Sequence, residues 1–253
     1  MKKSLKLLAL AIASSMALTV AGCGNTETAN DSEAEKLVMA TNATFPPYEF
    51  YEGETIVGID AEIAGIIAEK LGMTLEIQDT EFGSIIAGVQ TGKYDIGMAG
   101  MTVTEERLQS VNFSTTYATG VQSIIVPEDS EIASVDDLEG KKIGVQQDTT
   151  GHIYASDDYG EDNVTPFNKG TDAVAALVSG KVDCVIIDNQ PAKSYVEANE
   201  GLKILDTEYV TEDYAICVAK ENTELLEKIN TALDELIADG TVQSIIDKYI
   251  SAE

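Results

Sequence analysis

The chain has no tryptophan, one histidine, one arginine and three cysteines in 253 residues. A lone His152 excludes any site that needs two imidazoles. No Cys/His cluster suggests zinc. The remaining fifteen basic residues are lysines, set against 44 acids for a net charge of -28. So acidic a chain lacks the positive footprint that phosphate backbones require, which argues against nucleic acid. It equally lacks a polybasic membrane patch. The longest apolar run, residues 7–20, is too short to span a bilayer comfortably. What is present is ordinary for a folded protein: 44% hydrophobic and 24% charged residues. That length and composition suit one large domain or two ordinary ones and exclude a disordered acidic tail.

Residues 1–22 read as an export signal: three early lysines, an apolar segment, then small residues. Val20-Ala21-Gly22-Cys23 resembles the bacterial lipobox, whose cysteine is lipidated and becomes the new N-terminus. Loss of three lysines takes the net charge from -28 to -31. Residues 23–35 carry no large apolar side chain and read as a flexible tether. Cys184 and Cys217 lie in apolar runs and read as buried small hydrophobes.

From Lys36 onward strands and helices alternate. Strands are expected at 37–40, 75–77, 95–98, 121–126, 142–146, 164–167, 182–187 and 214–219. Helices are expected at 84–91, 151–157, 171–179, 190–198, 223–238 and 242–249. A further helix, with Asp60 as its cap, carries Ile63, Ile66, Ile67 and Leu71 at helical spacing and stops at Gly72. This alternation predicts an α/β fold with a largely parallel sheet, in two similar halves.

Signatures of metalloproteases, dithiol redox proteins and serine hydrolases are missing. Gly88 to Lys93 is one residue short of a phosphate loop, and Gly92 reads as a helix stop. Three loops remain. Thr41 to Phe50 places aromatics at a strand's carboxyl end, where open α/β sheets bind ligands. Ala99 to Arg107 leaves a strand through a glycine and presents Thr102, Thr104 and the sole arginine. A guanidinium suits a carboxylate better than a lysine does; a surface ion pair with Glu105 and Glu106 is the alternative. Gln146 to Gly151 runs into a helix N-terminus, which attracts anions; plain N-capping is the alternative.

Taken together, these loops resemble those of the polar amino-acid-binding proteins of bacterial ABC importers, the type II solute-binding proteins, over residues 36–250. The resemblance is carried by Val57-Gly58-Ile59-Asp60, the stretch from Tyr94-Asp95 to Arg107, Asn112-Phe113-Ser114, Leu138-Glu139-Gly140-Lys141-Lys142-Ile143-Gly144-Val145-Gln146, the stretch from Asp183 to Asp188, Asp239-Gly240-Thr241 and Lys248-Tyr249. It implies a two-lobed type II periplasmic-binding-protein fold: α/β, with mixed, mainly parallel sheets and two hinge strands. One lobe would hold residues 36–119 and 214–253, the other 120–213. Cys184 and Cys217 would then sit in different lobes.

The resemblance also implies roles. Arg107 would clamp the ligand α-carboxylate, with Thr102 touching carboxylate and amine. Gly100 would offer backbone, and Thr150 its N–H. Asp188 would pair with the α-ammonium, a strand-end cap being the alternative. Phe45 and Phe82 would wall the side-chain pocket. Asn42, Ala99 and Gln146 complete the expected contact set. No catalytic residue, cofactor or metal is expected. The implied partners are a free amino acid, a permease with its ATPase, and the membrane through a lipid on Cys23, on the extracytoplasmic face and as a monomer. Two departures stand out: Asn42 where relatives with cationic or polar ligands carry Asp, and Asp148 where the family has Gly. Asn42 beside the two phenylalanines points to a polar uncharged or cystine-like ligand first and a basic amino acid second. Glu49, Gln146 or Asp188 could make up for the charge missing at Asn42. A cyclohexadienyl-dehydratase-like enzyme on the same scaffold, or a sensory receptor, are the alternatives.

Overall fold

The computed structural model describes residues 34–206 and 209–250. The expected signal segment, Cys23 and all of the tether except residues 34 and 35 lie outside them. The first half runs Lys36–Thr41 (β1), Thr44–Phe45 (β2), Glu49–Glu52 (β3), Thr55–Val57 (β4), helix Ile59–Lys70 (α1) and Thr74–Asp79 (β5). It continues through Ile85–Gln90 (α2), Ile96–Gly97 (β6), Glu105–Ser110 (α3) and Val111–Phe113 (β7). The second half runs Ala118–Pro127 (β8), Ile143–Gln146 (β9), Thr150–Tyr159 (α4), Val164–Phe167 (β10), Gly170–Val178 (α5), Cys184–Asp188 (β11), Asn189–Ala198 (α6), Leu202–Ile204 (β12) and Val210–Tyr214 (β13). Cys217–Ala219 (β14), Thr223–Ala238 (α7) and Thr241–Tyr249 (α8) follow.

The strands form two main sheets. One has the order β5-β1-β6-β14-β7, the other β10-β9-β11-β8-β12 with β13 also beside β8. A small antiparallel sheet, β2-β3-β4, flanks the first. Every described strand between Ala118 and Tyr214 belongs to the second sheet. Leu37 and Met39 of β1 and Val185 and Ile186 of β11 are fully buried, as strands covered on both faces require. Ile59, Ile63 and Ile67 put one buried stripe on α1 at i, i+4 and i+8, and Ile229, Leu233 and Leu236 put one on α7 at i, i+4 and i+7.

Three expectations change. The described ladders divide into four parallel and seven antiparallel, so the parallel part is a three-strand block in each main sheet and not the majority. The antiparallel excess comes from the connecting strands and the small hairpin sheet. The strand expected over 214–219 is two strands, because Tyr214 pairs with Ala118 in the second sheet while Cys217 pairs with Gly97 and Phe113 in the first. Asp60 is not the cap of α1. That position is Gly58, with φ 125°, where an added Cβ would sit 2.2 Å from the Tyr48 carbonyl oxygen. Asp60 is fully buried instead and accepts hydrogen bonds from Gly100 N and Tyr117 Oη, each at 2.9 Å. Cys184 and Cys217 are buried free thiols, one in each main sheet.

Candidate ligand-binding site

Strand β6 feeds a loop that enters α3. Thr104 caps that helix, its Oγ1 accepting from Arg107 N at 3.1 Å. The cap turns Arg107 inward. It is only 7% exposed, whereas Glu105 and Glu106 lie on the surface. Its guanidinium donates to Thr102 O at 2.8 Å and to Asp148 O at 3.1 Å, and lies 5.2 Å from the centre of the Phe82 ring. The arginine is therefore no surface ion pair.

In the second sheet, β9 feeds α4 through residues 147–149. Thr149 caps this helix, accepting from His152 N at 3.3 Å while donating to Gln146 O at 2.8 Å. Thr150, the first helical residue, is buried. Asp148 has φ 63°, a left-handed conformation that Asp tolerates better than most residues. Its carboxylate is exposed and abuts Gly83, where a Cβ would come within 2.1 Å of Asp148 Oδ2. The charge anticipated near the carboxylate site thus faces outward, and it is the backbone carbonyl that meets Arg107.

These loops meet between the sheets. Gln146 Nε2 donates to Asn42 Oδ1 at 2.9 Å, Tyr195 Oη to Thr44 O at 2.5 Å, and the hydroxyls of Thr102 and Thr150 lie 3.5 Å apart. Asn42 is also tied to Thr80 O at 2.7 Å. At the end of β11, Asp188 accepts from Gln122 Nε2 at 2.8 Å and from the Tyr214 hydroxyl.

Between them lies a small cavity of about 20 Å³ of free space. All ten expected contact residues line it: Asn42, Phe45, Phe82, Ala99, Gly100, Thr102, Arg107, Gln146, Thr150 and Asp188. Glu49 and Thr149 also line it and were not in that set. Thr149 was legible as a cap. Glu49 was legible as one of three residues that could make up for the charge missing at Asn42, but not as a member of the contact set.

The electrostatics are lopsided. Glu49 is 1% exposed; no N–H or hydroxyl donor reaches either carboxyl oxygen, and its carboxyl lies against that of Asp60. Burial first, then the nearby carboxyl of Asp60, hold its pKa well above the usual carboxylate range. Asp60 is pushed up to about 6 by burial, against the opposing bonds from Gly100 and Tyr117. Asp188 is likewise held well above its usual range, by burial and then by the charge of Glu212. Burial lowers the pKa of Arg107, opposed chiefly by Glu212. Of the charged side chains in the lining, Arg107 is the only cation and Glu49 and Asp188 are the two acids.

Residues 37–252 match the bacterial extracellular solute-binding proteins, family 3. The chain belongs to that family. Among curated relatives, the arginine-binding extracellular protein ArtP of Bacillus subtilis is 33% identical, with 98% of this chain and 99% of that protein covered. A solved structure of an ancestral arginine-binding protein bound to glutamine superposes with TM-score 0.82 at 41% identity, covering 86% of this chain and 98% of that one. An ancestral arginine-binding protein bound to arginine gives TM-score 0.80 at 42% identity, covering 85% and 98%. The two solved neighbours share the type II fold seen here. No helix among the described residues is long and apolar enough to cross a membrane.

Proposed function

We propose that this family-3 protein binds a cationic amino acid of the arginine class in the inter-sheet cavity and hands it to an ABC permease, without chemical turnover. The observation that carries the ligand class is Glu49, buried in the lining with no donor on either oxygen. A neutral zwitterion would occupy Arg107 and Asp188 and leave Glu49 without a cation. A second positive charge on the ligand would give Glu49 its partner and favour its ionised form. This reverses the order drawn from Asn42 alone, since Glu49 supplies the acid that Asn42 lacks. The named arginine-binding relatives support the same order, and their being binding proteins supports binding over catalysis.

In this reading Arg107, Thr102 and the N-terminus of α4 at Thr150 receive the α-carboxylate. Asp188 and Gly100 receive the ammonium, and Phe45 and Phe82 flank the side chain. Residues 36–119 and 214–253 form one lobe and 120–213 the other. Residues 1–22 direct export, and a lipid on Cys23 holds the monomer at the extracytoplasmic face.

Calorimetry with L-arginine, L-lysine, L-glutamine and L-cystine tests the ligand class. Arginine should bind tightest. Glu49→Gln should weaken arginine at least about tenfold, the worth of one charge-assisted bond, and leave glutamine unchanged. A wild type that prefers glutamine or cystine, or an indifferent Glu49→Gln, refutes the cationic assignment.

A further inference from the structure

Strands β8 and β13 run side by side, with Val210 opposite Gln122 and Glu212 opposite Gly120. Gln122 and Glu212 are therefore diagonal neighbours on one face of the ladder. They are 1% and 5% exposed, and neither lines the ligand cavity. A single nitrogen, Gln122 Nε2, donates to Asp188 Oδ2 at 2.8 Å and to Glu212 Oε2 at 2.9 Å. The same Glu212 oxygen accepts from Thr150 Oγ1 at 3.0 Å, and Thr150 Oγ1 lies 3.5 Å from Thr102 Oγ1. The result is an unbroken chain: Asp188, Gln122, Glu212, Thr150, Thr102. It begins at the residue expected to hold the ammonium and ends at the two expected to hold the carboxylate. The second oxygen of Glu212 is buried without a well-formed hydrogen bond, its nearest donor being the Tyr154 hydroxyl of α4. Scaffolding alone gives little reason to keep such a group, because a buried carboxylate that is poorly met is destabilising.

We propose that Glu212 and Gln122 are positioning residues for the ligand head group, joining the ammonium end of the site to its carboxylate end from the two connecting strands without touching the ligand. The proposal rests on reading the cavity as an amino-acid site. Both N–H bonds of the Gln122 amide are committed, one to each acid. Asp188 is thereby held by a neutral donor while facing a second negative group. The groups around Asp188 are Glu212 and Tyr214 of β13, Gln122 of β8, Arg107 of α3, Glu49 of β3, Tyr195 of α6 and Tyr48. Around Glu212 stand Gln122, Thr150, Tyr154 of α4 and Arg107, with Asp213 next along the strand. Arg107 is the only cation named in either set.

The sign of the pH effect follows. An ammonium pairs with ionised Asp188, so affinity is lost as pH falls through the range where Asp188 of the free protein takes up its proton. Glu212 raises that range and the Gln122 bond lowers it. Removing Glu212 should shift the acid limb of the affinity profile to lower pH. Removing the Gln122 amide should shift it to higher pH.

Full-length Glu212→Gln and Gln122→Leu would be compared with wild type by calorimetry from pH 4 to pH 8. The probe is whichever of L-arginine and L-glutamine the wild type binds. Glu212→Gln should move the acid limb down by about one pH unit, so that at the foot of the limb it keeps about tenfold more of its neutral-pH affinity than wild type does. Gln122→Leu should move the limb up. Merely structural damage would weaken binding equally at every pH. Two variants that follow the wild-type limb, or shift in the same direction, overturn the proposal. If Glu212→Gln does not fold, as judged by circular dichroism, the direction in Gln122→Leu decides alone. A wild type that binds no amino acid at any pH overturns the reading of the cavity and this inference with it.

Discussion

Two loops leave the carboxyl ends of parallel strands and enter helices capped by threonine. After β6, Thr104 caps a six-residue helix and Arg107 folds back into the cavity. After β9, Thr149 caps a ten-residue helix whose first residue, Thr150, faces the same cavity. The cap geometry is shared, since each threonine oxygen accepts from the backbone N–H three residues on. The chemistry differs. The first loop presents a full charge on a side chain. The second presents backbone N–H groups and the positive end of a longer helix. In the proposed reading one cavity meets a carboxylate from two sides with unequal means, and a mutation should weigh accordingly.

The largest effect is expected at Arg107→Ala. It removes the only cation in the lining and leaves a ligand carboxylate buried beside unneutralised acids. A loss of about 3–5 kcal/mol, on the order of a thousandfold in Kd for L-arginine, is expected with the fold intact. Micromolar binding retained in calorimetry would mean the two loops contribute alike. Thr150→Val should cost far less, roughly 1 kcal/mol or about fivefold in Kd. It deletes the hydroxyl bonded to Glu212 but leaves the helix N–H groups in place. A hundredfold loss there would move the weight of recognition to the second loop. The smallest effect on binding is expected from Thr149→Ala, whose loss is mainly one of stability. About 1 kcal/mol, or roughly 2–4 °C in Tm, should disappear in a thermal melt. An unchanged Tm would show that the cap bond to His152 N contributes nothing.

The same contrast explains what could be read from the residues beforehand. Gly72, Gly92, Gly180 and Gly240 each stand two residues beyond a helix, all with positive φ, and these stops were legible because helix termination is local chemistry. The cavity lining was legible through Arg107, which is unmistakable where every other basic residue is lysine. The burial of Glu49, named beforehand only as one of three possible compensating charges, and of Asp60 and Glu212 was not. Burial of a carboxylate is decided by tertiary packing, and each is written in the same letters as dozens of solvated acids. Asp60 misled for a related reason: an acid at a helix start is ordinarily a cap, and only the approach of Gly100 and Tyr117 makes it a buried acceptor. The hairpin β3–β4 was missed because its strands are short and largely exposed, so no apolar alternation marks them. The break after Tyr214 was missed because a continuous apolar run does not reveal that its two ends pair in different sheets.

The pairing of β8 with β13 has a consequence for how such a gene can be rearranged. Thr119 and Asp213 face each other across that ladder, on neighbouring strands about 5 Å apart. The entire second sheet therefore enters and leaves through one narrow gate. Strands β5, β1, β6, β14 and β7 all lie outside it in the chain. If the two halves are the lobes proposed above, a tight turn spliced across that gate is where the second sheet would be removed or exchanged as a cassette.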